Sequence, residues 1–95
     1  MKNYAKVMIE KSGLSSLQES ISIGKQVMER KLAAYQKKAS QFEQAEGMDT
    51  EAFIMLFNKG ELGDNKKWLE WDHTANVANL LKKKLGDLKS LKYEY

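Results

Sequence analysis

The sequence predicts an all-α chain: a long amphipathic helix, a short helix and a second long helix, folded as a helical hairpin. Three observations carry this. None of the 95 residues is proline, so no ring removes a helical hydrogen bond. Apolar residues recur at spacings of three and four over most of the length. Charged residues make up 31% of the chain, a share that suits long solvated helices. A chain this short forms one domain. If compact, it would expose roughly 5,600 Å² and have a radius of gyration of about 12–13 Å.

Residues 1–14 read as a short N-terminal element and residues 15–95 as the helical domain. In the N-terminal element Ala5, Val7 and Ile9 alternate with Lys6, Met8 and Glu10, which suits a half-buried strand. Tyr4, Val7 and Met8 also share a helical face, and Gly13 would end such a helix. A lone strand has nothing to pair with in one copy of the chain, so a short helix is the preferred reading.

The first long helix is expected over about 16–46. Ser16-Leu17-Gln18-Glu19 has the form of a capping box. Leu17, Ile21, Gly24, Met28, Leu32, Tyr35, Ala39 and Phe42 then make one apolar stripe. Gly47 marks its end. The short helix follows over about 49–59, with Asp49 as N-cap and Met48 able to staple onto Phe53. Phe53, Ile54, Leu56 and Phe57 give it a dense apolar face, and Gly60 stops it. After Glu61-Leu62-Gly63, Asp64 is expected to cap the third helix, about 64–92. Its stripe is Trp68, Trp71, Ala75, Ala78, Leu81, Leu85 and Leu88.

Composition removes several functional classes. The chain has no cysteine, so disulfides, thiolate metal sites and thiol nucleophiles are excluded. No apolar run approaches the ~18 residues of a membrane helix. The N-terminus lacks the apolar segment of a signal peptide, so a cytoplasmic protein with no membrane partner is expected. Charge is unevenly placed. Residues 49–72 hold six acids against three lysines, whereas residues 82–92 hold five lysines against Asp87. An acidic middle with a basic tail is unlike a nucleic-acid stripe and fits a basic protein partner.

No catalytic, cofactor or metal constellation is legible, so an enzyme is not expected. His73 is the only histidine. Asp72 and Asn76 could orient it, but no nucleophile stands at a useful spacing, and Glu70 and Asp72 are not placed to share a metal with it. Glu61 and Asp64 flank a turn and read as solvated. Gly60 and Gly63 lack the sequel of a phosphate loop. Lysines 82–84 spread over too much helix surface to focus on one anion.

Two interaction surfaces remain. A helix of ~30 residues is a rod of ~45 Å, longer than a compact chain of this size is wide. Its stripe is expected to need cover from another molecule, with a second copy favoured. Ile21, Met28, Leu32, Tyr35 and Phe42 are the expected dimer interface. Phe53, Phe57, Trp68 and Trp71 bracket one tight turn. They are either core or, in part, anchors for a partner, with acidic residues around them.

The run Tyr35-Gln36-Lys37-Lys38, Phe42-Glu43, Gly47-Met48-Asp49, Phe53, Phe57-Asn58-Lys59-Gly60-Glu61-Leu62-Gly63-Asp64 and Trp68-Leu69-Glu70-Trp71 resembles small prokaryotic proteins abundant in archaea. These are the antitoxin halves of type II toxin–antitoxin pairs. The resemblance spans residues 28–91, about two-thirds of the chain. It implies a protein that covers the basic surface of a cognate toxin, often a ribonuclease. Phe53, Phe57, Glu61, Asp64, Trp68, Glu70 and Trp71 are then the partner-binding residues. In such relatives a ribbon-helix-helix unit can precede this region, and Ser12-Gly13-Leu14-Ser15-Ser16 with Glu19-Ser20-Ile21 resembles its turn and second helix. The strand that would read DNA is missing or severely shortened, which weakens the expectation of DNA binding. The alternatives are a self-associating structural or adaptor module and a DNA-binding regulator.

Overall fold

A computed structural model describes residues 3–92. Its order is α1 (Lys11–Glu46), α2 (Thr50–Asn58) and α3 (Lys66–Lys89), with no strand among the described residues. The all-α class and the long–short–long order agree with the sequence reading.

The helix ends show where local signals win and where they lose. At the first helix the expectation is overturned. Residues 3–10 form neither helix nor strand, and α1 starts at Lys11 and runs straight through Gly13 and Ser16. Ser16 is therefore interior, and the capping box has no free amide to serve, because the Glu19 N–H is already spent within the helix. Gly13 is not a C-cap either. Its N–H donates to the Glu10 carbonyl at 2.9 Å, a first-turn bond. A Cβ there would stand 3.3 Å from Ile9 Cδ1, so the missing side chain is where Ile9 folds back over the turn.

The opposite end follows the sequence. Gly47 takes φ +68° and its N–H returns to Glu43 O, the left-handed stop that glycine allows without steric cost. Asp49 caps α2 as expected, accepting from the Ala52 N–H at 2.8 Å. At α3 the cap is Asn65, whose Oδ1 accepts from the Lys67 N–H at 3.0 Å, one residue later than the expected Asp64.

α3 runs antiparallel along α1, and this is the main interface of the molecule. The two predicted stripes face each other. Trp71, Ala75, Ala78, Leu81 and Leu85 are buried on α3. Along α1 every stripe residue from Leu17 to Phe42 is half-buried, and none of the 36 is fully buried. The expectation that the shorter helices of the same chain cannot cover the stripe along its whole length agrees with the helix lengths, 36 residues in α1 against 24 in α3. α3 covers ~36 Å of a rod of ~54 Å, because the short α2 connector lets two long helices lie side by side. The molecule measures 54 × 28 × 18 Å with a radius of gyration of 18.3 Å, half as large again as a compact chain would have.

Candidate interaction site at the acidic end of the hairpin

α2 folds across the end of the hairpin where α1 stops and α3 starts, and there its Phe53 and Phe57 join Trp68 and Trp71 of α3 and Phe42 of α1 in one cluster. Phe42 lies parallel to Trp71 with centroids 5.5 Å apart. Phe53 stacks on the other side of Trp71 at 4.0 Å. Trp68 and Phe57 extend the stack from Phe53 at 5.7 and 5.5 Å. Each such pair adds about 0.5–1.5 kcal/mol beyond the area it buries.

The indole N–H of Trp71 needs an acceptor once buried. Thr50 supplies it: Nε1 donates to Thr50 Oγ1 at 3.1 Å. The Thr50 hydroxyl in turn donates to Glu43 Oε2 at 3.1 Å, and the Thr50 backbone N–H donates to the same oxygen at 2.8 Å. One relay thus ties all three helices, since Glu43 sits on α1, Thr50 opens α2 and Trp71 is on α3. Lys67 closes the outside. Its Nζ is 3.3 Å from Glu46 Oε1 and 4.4 Å from the Trp68 ring centroid, which favours the cation.

This arrangement divides the expected partner-binding residues. Phe53 and Trp71 are 0% exposed, so in the folded chain they have no surface to offer a partner, and they are corrected to core. Trp68 and Phe57 are half-buried. Glu61, Asp64 and Glu70 are exposed, and Glu70 pairs with Lys66 at 3.9 Å on the surface. Met55 and Leu69, which the sequence reading did not single out, are exposed apolar side chains at this same end. Thr50 and Glu43 were also missed. The signal that could have found them is the tryptophan itself, because a buried indole demands a nearby acceptor.

The expected dimer residues now have intrachain neighbours. Phe42 packs on Trp71, and Tyr35 meets His73 edge-on at 6.4 Å. Ile21, Met28 and Leu32 keep part of their surface open. His73 is exposed, and the residues expected to orient it bond each other instead: Asn76 Nδ2 donates to Asp72 Oδ2 at 3.3 Å.

A shallow groove of ≈ 570 Å³ lies under the start of α2, lined among others by Gln36, Glu43, Thr50, Asn79 and Lys82. Its hydroxyl, on Thr50, is engaged by the relay. Among the described residues no three metal-ligating side chains converge, and no helix is long and apolar enough to cross a membrane. Comparison with protein-family models, curated proteins and solved structures finds no match for this chain.

Proposed function

We propose that this chain is a non-catalytic, antitoxin-like protein that binds and neutralises a cognate toxin, of the small basic ribonuclease kind, with the α2 end of its hairpin. The observation that carries this reading is the charge of that end. Residues 35–75 hold eight acids against five lysines. Glu51, Glu61, Asp64 and Glu70 are exposed at that end, with the half-buried Trp68 and the exposed apolar side chains of Met55 and Leu69. Carboxylates steer and orient a basic surface, and the apolar groups among them supply area to desolvate. Covering an RNA-binding surface in this way excludes RNA without any chemistry. The alternative, a self-associating structural or adaptor module with no toxin, draws on the half-buried ridge of α1. A DNA-binding regulator draws on the resemblance of residues 12–21 alone.

The test looks for a gene for a small basic protein beside the gene of this chain and pairs the two purified products. Calorimetry should give a dissociation constant of about 1 μM or tighter, and the partner's ribonuclease activity should fall with one equivalent. The double variant Glu61→Lys/Asp64→Lys should weaken binding by about tenfold or more, because both side chains are exposed and the change reverses the local field. Absence of binding at micromolar concentrations overturns the reading.

A further inference from the structure

The charges of this chain are separated along its length. Residues 3–34 with 76–92 hold ten Lys or Arg against four acids, whereas residues 35–75 hold eight acids against five lysines. α1 and α3 are antiparallel, so the start of one and the end of the other share one end of a molecule 54 Å long. The ion pairs among the described residues, Lys66 with Glu70 and Lys67 with Glu46, use lysines of the acidic end. None of the ten cations of the basic end pairs with a carboxylate of the described residues.

The same end keeps apolar side chains in water. Of the ten large apolar side chains that stay exposed among the described residues, eight belong to it. Residues 3–10 are the extreme. Every one is exposed, with Tyr4 at 63%, Val7 at 81% and Met8 at 98%. Two contacts hold this segment to the basic end. Ile9 lies against Gly13 in the first turn of α1, and Lys92 Nζ stands 5.4 Å from the Tyr4 ring centroid. The segment therefore reaches the end of α3, where Lys89 and Leu91 are exposed as well.

Unpaired cations interleaved with exposed aliphatic side chains suit one anionic surface better than another. Proteins that grip single-stranded nucleic acid add aromatic platforms to their cations, and Tyr4 is the only aromatic residue of this end among the described residues. Aliphatic side chains gain little from phosphates or base edges. A bilayer with anionic headgroups takes both kinds of group. Its surface attracts lysine and arginine, and apolar side chains enter the boundary between headgroups and acyl chains. No helix among the described residues is long and apolar enough to cross a membrane, and attachment at the surface needs none. The sequence expectation of no membrane partner rested on spanning segments and a signal peptide, neither of which bears on such attachment.

We propose that the basic end of the hairpin docks on an anionic bilayer surface, with Val7 and Met8 entering the headgroup boundary and the acidic end directed into water. Like charge keeps the acidic end off the lipid, so the α2 side stays open to a protein partner.

The experiment uses the chain alone with vesicles, so its outcome is separate from that of the toxin reading. The chain should sediment with vesicles of phosphatidylcholine and phosphatidylglycerol in equal parts, stay in solution with phosphatidylcholine alone, and be released by high salt. The double variant Val7→Glu/Met8→Glu changes two exposed side chains outside the three helices, so its helicity should be unchanged. It should need about tenfold more anionic lipid, or beyond, for half-binding. Both tryptophans, Trp68 and Trp71, lie at the acidic end, so they report orientation. Their emission should stay unquenched when the acyl chains of the lipid are brominated. No association with the anionic vesicles overturns the proposal, as do equal association with neutral vesicles and undiminished binding of the double variant. Quenched tryptophan overturns the assigned orientation. Binding of a short duplex of arbitrary sequence, with none to vesicles, gives the basic end to nucleic acid and overturns the proposal too.

Discussion

Trp71 is fully buried where all three helices meet. It is sandwiched between Phe42 and Phe53 and holds its indole hydrogen on Thr50. Trp71→Ala removes both contributions, and a loss of about 3–5 kcal/mol is expected in urea unfolding. Thr50→Val separates the two. It preserves volume but leaves a buried donor unpaired and strips the Glu43 carboxylate of its hydroxyl partner. It should cost about 1–3 kcal/mol with the ring stack intact by near-ultraviolet dichroism. Equal stability of Thr50→Val and the natural chain would mean that water replaces the hydroxyl. Thr74 is a second buried polar group, 1% exposed, and its hydroxyl is satisfied locally on the Glu70 carbonyl at 2.7 Å. Its burial was not legible in the sequence because a threonine on an apolar face does not interrupt the stripe.

Among the elements, the same change of glycine to alanine should have opposite signs at two positions. Gly86 lies inside α3 with open space around its missing Cβ, so Gly86→Ala should raise stability by about 0.5–1 kcal/mol through helix propensity. Gly47 holds φ +68°, where a side chain clashes with the backbone, so Gly47→Ala should lower it by about 1 kcal/mol. Thermal melting of both variants checks the pair, and two shifts of the same sign would contradict the assigned helix ends. The stops at Gly47 and Gly60 and the cap at Asp49 were legible because each is a local matter of backbone angle or one side-chain acceptor. The start of α1 was not. Ser16 through Glu19 satisfy a local motif, but an upstream stretch without proline lets the helix grow five residues past it, with Ile9 folding onto Gly13.

At the scale of the whole molecule, stability is expected to be graded along the rod. The α2 end holds three helices, the aromatic stack and the Glu43–Thr50–Trp71 relay. The other end holds α1's first turns beside residues 3–10, all exposed, with Met8 at 98%. Hydrogen exchange should therefore be slowest for amides around Phe53 and Trp71 and fastest for Lys11 through Ser20. Uniform protection along α1 would contradict a single well-packed end.

The helical class, the two stripes and most helix ends could be read from residue order, because spacing and caps act over one or two turns. Which aromatic rings face inward could not. Phe53, Trp68 and Trp71 share one composition and one stretch of chain, and their fates part when α2 folds across α3 and closes over two of the three. The acidic character of that end was visible as a count of charges. That Glu61, Asp64 and Glu70 stay outside while Glu43 turns in to hold Thr50 depends on contacts between residues far apart in the chain, which no local pattern encodes.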